Sequence, residues 1–290
     1  MENLELKSNE EFLSKKDNNL DLDNYSNNNN KKRNIILILI TILILLILII
    51  IIVTIIIVKN IDDDVPINDD SNKNNLIFGP SSGIHAQSII FMPGLTNTPE
   101  DFAPVLTKNL TYLKKNTTRL IILRSPLQKV SVLDGKKNHS WFDIYYFPIN
   151  SSSSFNFDEL KDASNTLRQV INEEAKKLEG KYDKIYIGGH SQGAMISLYT
   201  GYNFEHLLGG IISFSGILPP QGEILPGKEN LNVYYGFGDS DNLINPDFFY
   251  ETIESIKNYK GFNLYIYPNH THSVIPQEIK DAGEFLNKIM

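Results

Sequence analysis

The sequence predicts an α/β fold, a mostly parallel sheet with helices on both faces, preceded by one transmembrane helix. Two features carry that expectation. From Leu76 onward, short apolar runs alternate with segments of helical periodicity, as in chains whose strands and helices follow one another. Before it, Ile35 to Val58 form 24 consecutive positions without a charge, 22 of them Ile, Leu or Val.

Met1 to Asn34 are crowded with Asn, Lys, Asp and Glu, include four Asn in a row at Asn27 to Asn30, and have little apolar surface to offset ordering entropy. They are expected to form a disordered tail. The apolar stretch that follows, as a helix, is about 36 Å long against a hydrocarbon core of roughly 30 Å, so it spans with some tilt. Its insertion is favourable by on the order of 10 kcal/mol. A cleaved signal peptide fits poorly, because the apolar core starts 34 residues in and ends at Val58-Lys59-Asn60 without a small-residue cleavage site. Lys31, Lys32 and Arg33 flank one side and Lys59 the other, which places the N-terminus in the cytosol and the C-terminal bulk in the lumen or outside, a type II anchor. Residues 59–75, with five Asp and five Asn, read as a solvated tether.

Residues 76–290 form the folded domain. Buried strands are expected at Ser88–Met92, Leu120–Leu123, Ile185–Ile187, Ile211–Phe214, Val233–Phe237 and Leu264–Tyr267. Helices are expected at Pro99–Lys108, Asp158–Leu178, Gln192–Tyr202, Pro246–Lys257 and Gln277–Lys288. The second is the clearest, because Leu160, Ala163, Leu167, Val170, Ile171, Ala175 and Leu178 make one apolar stripe. Two connections are longer than needed. Ser125–Phe157 carries an aromatic cluster at Trp141, Phe142, Tyr145, Tyr146 and Phe147, and loops of this length tend to serve function. Gly216–Asn230, rich in Pro and Gly, is either a rim of a site or plain surface.

Composition narrows the chemistry. The net charge is −7 over the chain and −3 over Leu76–Met290 (19 basic against 22 acidic), which leaves no broad basic face for nucleic acid. With no cysteine there is no disulfide, thiolate metal site or cysteine nucleophile. The His and acidic residues lack metal-ligand spacing and no phosphate-cradling glycine loop is present, so no metal or organic cofactor is expected.

The strongest chemical signal is Gly189-His190-Ser191-Gln192-Gly193, directly after an apolar strand and directly before a helical pattern. In a nucleophile elbow of this kind the serine sits on a strained turn at a helix N-terminus, and the flanking glycines avoid collisions there. A serine that merely caps the helix is the plainer alternative. Serine is a weak nucleophile and needs a base, itself oriented by a carboxylate. After Ser191 the histidines are His206, His270 and His272. His206 lies at the end of the helix after the elbow and reads as a helix-end charge. His270 and His272 both follow the last strand, and Asp239 and Asp241 both follow the strand before it, so spacing leaves each pair open.

These residues resemble the acyl-protein thioesterase and carboxylesterase family of compact α/β-hydrolases. The likeness covers Ser88 to Met290 and rests on Gly188-Gly189-His190-Ser191-Gln192-Gly193-Ala194, on Ser140-Trp141-Phe142-Asp143, on Gly238-Asp239-Ser240-Asp241 and on His272-Ser273. The resemblance implies an α/β-hydrolase fold and a triad of Ser191, Asp241 and His272. It also implies oxyanion donors at the backbone N–H groups of Leu95 and Gln192. The chain departs from the family where Pro93-Gly94 replaces His-Gly and Thr96-Asn97 replaces Gly-Asp. A backbone donor survives such changes. Trp141 and Phe142 have two readings, walls of an acyl-chain groove or core packing.

The implied activity is hydrolysis of an acyl ester or thioester, on a lipid or an acylated protein, through an acyl-enzyme. Relatives of this family are typically soluble and cytosolic, whereas the charge bias places this domain beyond the membrane, where lipid and other carboxylic esters are the more plausible substrates. N-x-S/T sequons at Asn109, Asn116, Asn138, Asn150 and Asn269 fit that side, and Asn269 is expected to be unoccupied because it stands three residues from His272. The alternatives are a non-catalytic binding module of the same fold and a serine peptidase.

Overall fold

The structure, a computed structural model, describes Leu39, Ile42, Leu43 and residues 75–109 and 116–290. The expected tail, residues 1–34, most of the expected span at Ile35–Val58, and the tether up to Asn74 lie outside these residues. Leu39, Ile42 and Leu43 are helical and exposed. Among the described residues no helix is long and apolar enough to cross a membrane.

The domain is built on a seven-stranded sheet. Its strands are β1 (Leu76–Phe78), β2 (Gln87–Met92), β3 (Thr118–Ile122), β6 (Ile185–His190), β7 (Gly210–Phe214), β8 (Val233–Gly238) and β9 (Phe262–Tyr267). Their order across the sheet is β1-β3-β2-β6-β7-β8-β9, and only β1 runs antiparallel to its neighbour. Each parallel crossover carries a helix or a long connection, as the connection geometry demands. The helices are α1 (Pro99–Asn109), α2 (Phe157–Lys177), α3 (Gln192–Asn203), α4 (Pro246–Ile256) and α5 (Pro276–Ile289). Asn156 caps α2 by accepting from the Glu159 N–H, and Asn245 caps α4 from the Asp247 N–H.

Strand alternation sorts the side chains into two layers. Ile90, Met92, Ile187, Ile211, Tyr235 and Phe237 face α2, α3 and α4 and pack with Leu167, Ile171, Met195 and Phe249. Ile89, Phe91, Ile212, Phe214 and Tyr234 face the other way onto Phe102 and Leu106 of α1 and Ile279, Phe285 and Leu286 of α5. Two covered faces are what the near-continuous apolar strands require.

The six expected strands and five expected helices are present, with ends shifted by up to three residues, the largest shift being at the C-terminal end of β6. The structure adds two things. β1 is a three-residue edge strand, too short to show a pattern. The stretch Ser125–Phe157, read as a long loop, instead contains a hairpin, β4 (Leu127–Val130) paired antiparallel with β5 (Lys136–His139). The other long connection begins by tucking Ile217 and Leu218 into the core and is tied back where the Leu225 N–H donates to Tyr202 O.

Candidate active site

Four strand ends converge on one place. β6 ends at His190, and Ser191 turns the chain into α3 with φ 54° and ψ −117°. A non-glycine residue at positive φ is held there only when its surroundings over-determine it. Here the surroundings are backbone: a Cβ at Gly193 would fall 1.9 Å from the Met92 carbonyl oxygen, and one at Gly189 2.4 Å from the Gly193 carbonyl carbon. The elbow is thus wedged between β2 and the first turn of α3, and Ser191 stays partly exposed.

The loop after β9 brings His272 onto that serine. Ser191 Oγ lies 2.7 Å from His272 Nε2, and His272 Nδ1 lies 2.7 Å from Asp241 Oδ2, so the Nδ1–H donates to the carboxylate and the hydroxyl donates to Nε2. Asp241, in the turn after β8, is fixed through its other oxygen, which accepts the Leu243 and Ile244 N–H groups at 2.9 Å each. The two neighbours that the sequence left in contention are otherwise engaged. Asp239 Oδ1 accepts from the Asn269 N–H at 2.7 Å, and His270 Nε2 meets the Ser273 carbonyl at 2.5 Å. His206 is elsewhere, its ring stacked on Tyr182 with centroids 3.9 Å apart.

The Pro93–Thr96 turn lies against the same serine, since a Cβ at Gly94 would come within 3.2 Å of Ser191 Cβ. In that turn the Thr96 N–H donates to His139 O and the Asn97 N–H to Gly94 O. Among the described residues, neither the Leu95 nor the Gln192 backbone N–H has a protein acceptor. Two free amides beside a partly exposed serine hydroxyl at a helix N-terminus are suited to stabilising developing negative charge.

Of the two readings of Trp141 and Phe142, groove wall or core packing, their burial matches core packing. Both are buried, and Phe142 packs on Phe155 with centroids 5.7 Å apart. They support the site from behind: the Trp141 indole N–H donates to Pro93 O at 2.9 Å. The Gln192 side chain, which the sequence did not single out, locks this segment to the elbow. Its Oε1 accepts the Trp141 N–H at 3.1 Å, and its Nε2 donates to Phe142 O at 2.7 Å and to Ser140 Oγ at 3.1 Å. Buried amide groups with all partners supplied hold one geometry.

Two further titratable groups lie beneath the site. Burial, with a smaller contribution from the His272 imidazole, lowers the His190 pKa to about 4. Burial, together with Asp281 and Asp241 nearby, raises the Glu278 pKa to about 8 despite the Ile275 N–H. Burial thus favours the uncharged form of both, and the carboxylate in contact with His272 is that of Asp241. Among the described residues, no cluster of three or more His, Asp or Glu is placed to hold a metal ion.

Residues 75–290 match the phospholipase/carboxylesterase family. The chain belongs to that family. Proteins similar to it include acyl-protein thioesterase 1 of Debaryomyces hansenii, 30% identical over 213 residues, covering 70% of this chain and 91% of the relative. Acyl-protein thioesterase 1 of Mycosarcoma maydis is 28% identical over 232 residues, covering 74% and 96%. The crystal structure of Arabidopsis thaliana SOBER1 superposes with a TM-score of 0.61 at 20% identity, covering 70% of this chain and 98% of that one. The Bacillus cereus carboxylesterase gives 0.57 at 16% identity, covering 74% and 94%. The fold is accordingly that of an α/β-hydrolase, and the protein is an enzyme of the carboxylesterase and thioesterase type.

Proposed function

We propose that this enzyme cleaves carboxylic esters or thioesters through an acyl-enzyme, with Ser191 as nucleophile, His272 as base and Asp241 as the group that orients it. The observation that carries this reading is the unbroken run of hydrogen bonds from Asp241 through His272 to a serine held at positive φ. As Oγ attacks the substrate carbonyl carbon, His272 Nε2 takes the hydroxyl proton, and Asp241 holds the imidazole in the required tautomer. The tetrahedral oxyanion rests on the Leu95 and Gln192 amides, each worth roughly 3 to 4 kcal/mol to the transition state. His272 then returns the proton to the departing alcohol or thiol. A water, deprotonated by the same nitrogen, attacks the acyl-serine; the acyl–Oγ bond breaks, His272 returns that proton to Ser191 Oγ, and the acid leaves.

The substrate class follows from two supports. Relatives bear the name acyl-protein thioesterase, which favours acylated proteins or lipid esters. The apolar run Ile35–Val58 serves as a type II anchor, with the hydrolase domain lumenal or extracellular. An anchor on the same chain favours acyl groups presented at a membrane surface over freely soluble esters.

The test uses the full-length protein in detergent with a fluorophosphonate probe and acyl ester, thioester and amide substrates. Ser191→Ala should abolish labelling and lower ester turnover by about 10³-fold or more, the scale set by loss of a triad member. Undiminished turnover in that variant would refute the mechanism, and a preference for amides would make the enzyme a peptidase. Protease protection in sealed vesicles reads the topology, and cleavage of the domain from the cytosolic side would reverse it.

A further inference from the structure

His190, the residue just before the nucleophile, has no part in the mechanism above, yet it touches the base loop directly. Its Nε2 lies 2.9 Å from the backbone carbonyl oxygen of His272. A carbonyl only accepts, so Nε2 carries the proton and Nδ1 is left as a bare lone pair. Nδ1 is buried with no hydrogen-bond partner among the described residues. It faces Gly94, where a Cβ would come within 3.0 Å of it. The ring is held between Phe102 of α1, at 5.8 Å between centroids, and the His272 ring at 5.2 Å. One imidazole thus meets the turn before Leu95 on one side and grips the base-bearing residue on the other.

We infer that His190 is a positioning residue for the base: by holding the His272 carbonyl, it fixes the backbone from which that imidazole reaches Ser191. Between β9 and α5, residues 268–275 have no regular structure. Asn269 and His270 are tied to the turn after β8 through Asp239 Oδ1 and the Ser240 N–H, while His272 itself is held by its side-chain bonds to Ser191 and Asp241 and by the His190 contact to its carbonyl. The side-chain bonds must loosen and reform as the proton moves during turnover, whereas the bond from His190 to the carbonyl is unaffected by it. Burial keeps His190 neutral at working pH, so it holds the loop without adding a positive charge beside the base.

The inference rests on the hydrolase reading, and the experiment separates the two. In the full-length protein, His190→Phe keeps an aromatic ring but removes the donor, while His190→Gln restores an N–H. His190→Phe should lower kcat by about 10- to 100-fold with KM within about twofold, the signature of a misplaced catalytic group, and His190→Gln should recover most of it. Phenylalanine that works as well as histidine, or glutamine that fails as badly as phenylalanine, would overturn the inference. An inert wild type would instead sink the hydrolase reading. Nitrogen-15 NMR of the wild-type imidazoles decides the contact without any variant. A neutral Nε2–H tautomer of His190 down to about pH 5 is expected, and an Nδ1–H tautomer would exclude the bond.

Discussion

The elbow that carries Ser191 and the turn that carries Leu95 lie against each other, and both contain a residue at positive φ. They are held by different means. Around Ser191 the restraint is steric and local: glycines at 189 and 193 sit where any Cβ would strike the backbone of β2 or α3. Around Leu95 the restraint is polar and remote. Trp141 binds Pro93 O, His139 O accepts the Thr96 N–H, and the Gln192 side chain holds Ser140 to Phe142 in place. Thr96, at φ 68°, is a β-branched residue in a region that favours glycine. In the proposed mechanism, a nucleophile placed by sterics tolerates little change in its own pentapeptide, whereas an oxyanion turn placed by polar contacts can vary in sequence while its supports remain.

The sharpest way to break this contrast is Gly193→Ala. Its methyl cannot coexist with the Met92 carbonyl at 1.9 Å, so β2 and α3 must separate. A loss of about 3 kcal/mol or more is expected, read as a fall in Tm of about 6 to 12 °C, with turnover lost alongside. A variant that melts and works like the wild type would show that the elbow is not sterically wedged.

Gln192→Ala attacks the polar restraint and should cost less. It leaves the backbone amide in place but takes the acceptor from the buried Trp141 N–H and one of two donors from Phe142 O, which keeps the Ser140 hydroxyl. About 1 to 3 kcal/mol of stability should go, and kcat should fall about 10-fold or more with KM little changed, because the Leu95 turn loses its backing. Unchanged kcat in a folded variant would mean that the 140–142 segment does not support the oxyanion donors.

The same contrast decides what was legible in the sequence. A strand, two glycines, a serine and a helix are consecutive residues, so the elbow could be read from one stretch. The partners could only be narrowed to pairs, because Asp239 and Asp241, like His270 and His272, share a tight turn and differ only in the direction they face. Contacts from Asn269 to Asp239 and from Ser273 to His270 remove one member of each pair, and no spacing rule contains them. The β4–β5 hairpin escaped for another reason. Its strands read Leu-Gln-Lys-Val and Lys-Lys-Asn-His, mostly exposed or half-buried, without the alternation that marks a core-facing strand. The Gln192 lock joins residues some fifty positions apart along the chain and depends on that hairpin being where it is.

Thr96→Gly gives the smallest effect and the finest test. Thr96 is exposed, so its side chain has little packing to lose, and glycine removes a left-handed penalty of about 1 to 2 kcal/mol. Glycine also gives the unfolded chain more freedom, which offsets about 0.5 to 1 kcal/mol of that gain. The net expectation is a stabilisation of about 1 kcal/mol or less, a rise in Tm of about 0 to 4 °C, with kcat unchanged while the His139 O bond persists. Strain at Thr96 would then be incidental to a turn whose position is set from outside, in contrast to the strain at Ser191, which aims the nucleophile. A destabilised Thr96→Gly with lowered kcat would reverse that conclusion, because it would mean that the threonine side chain itself holds the Leu95 amide toward the oxyanion.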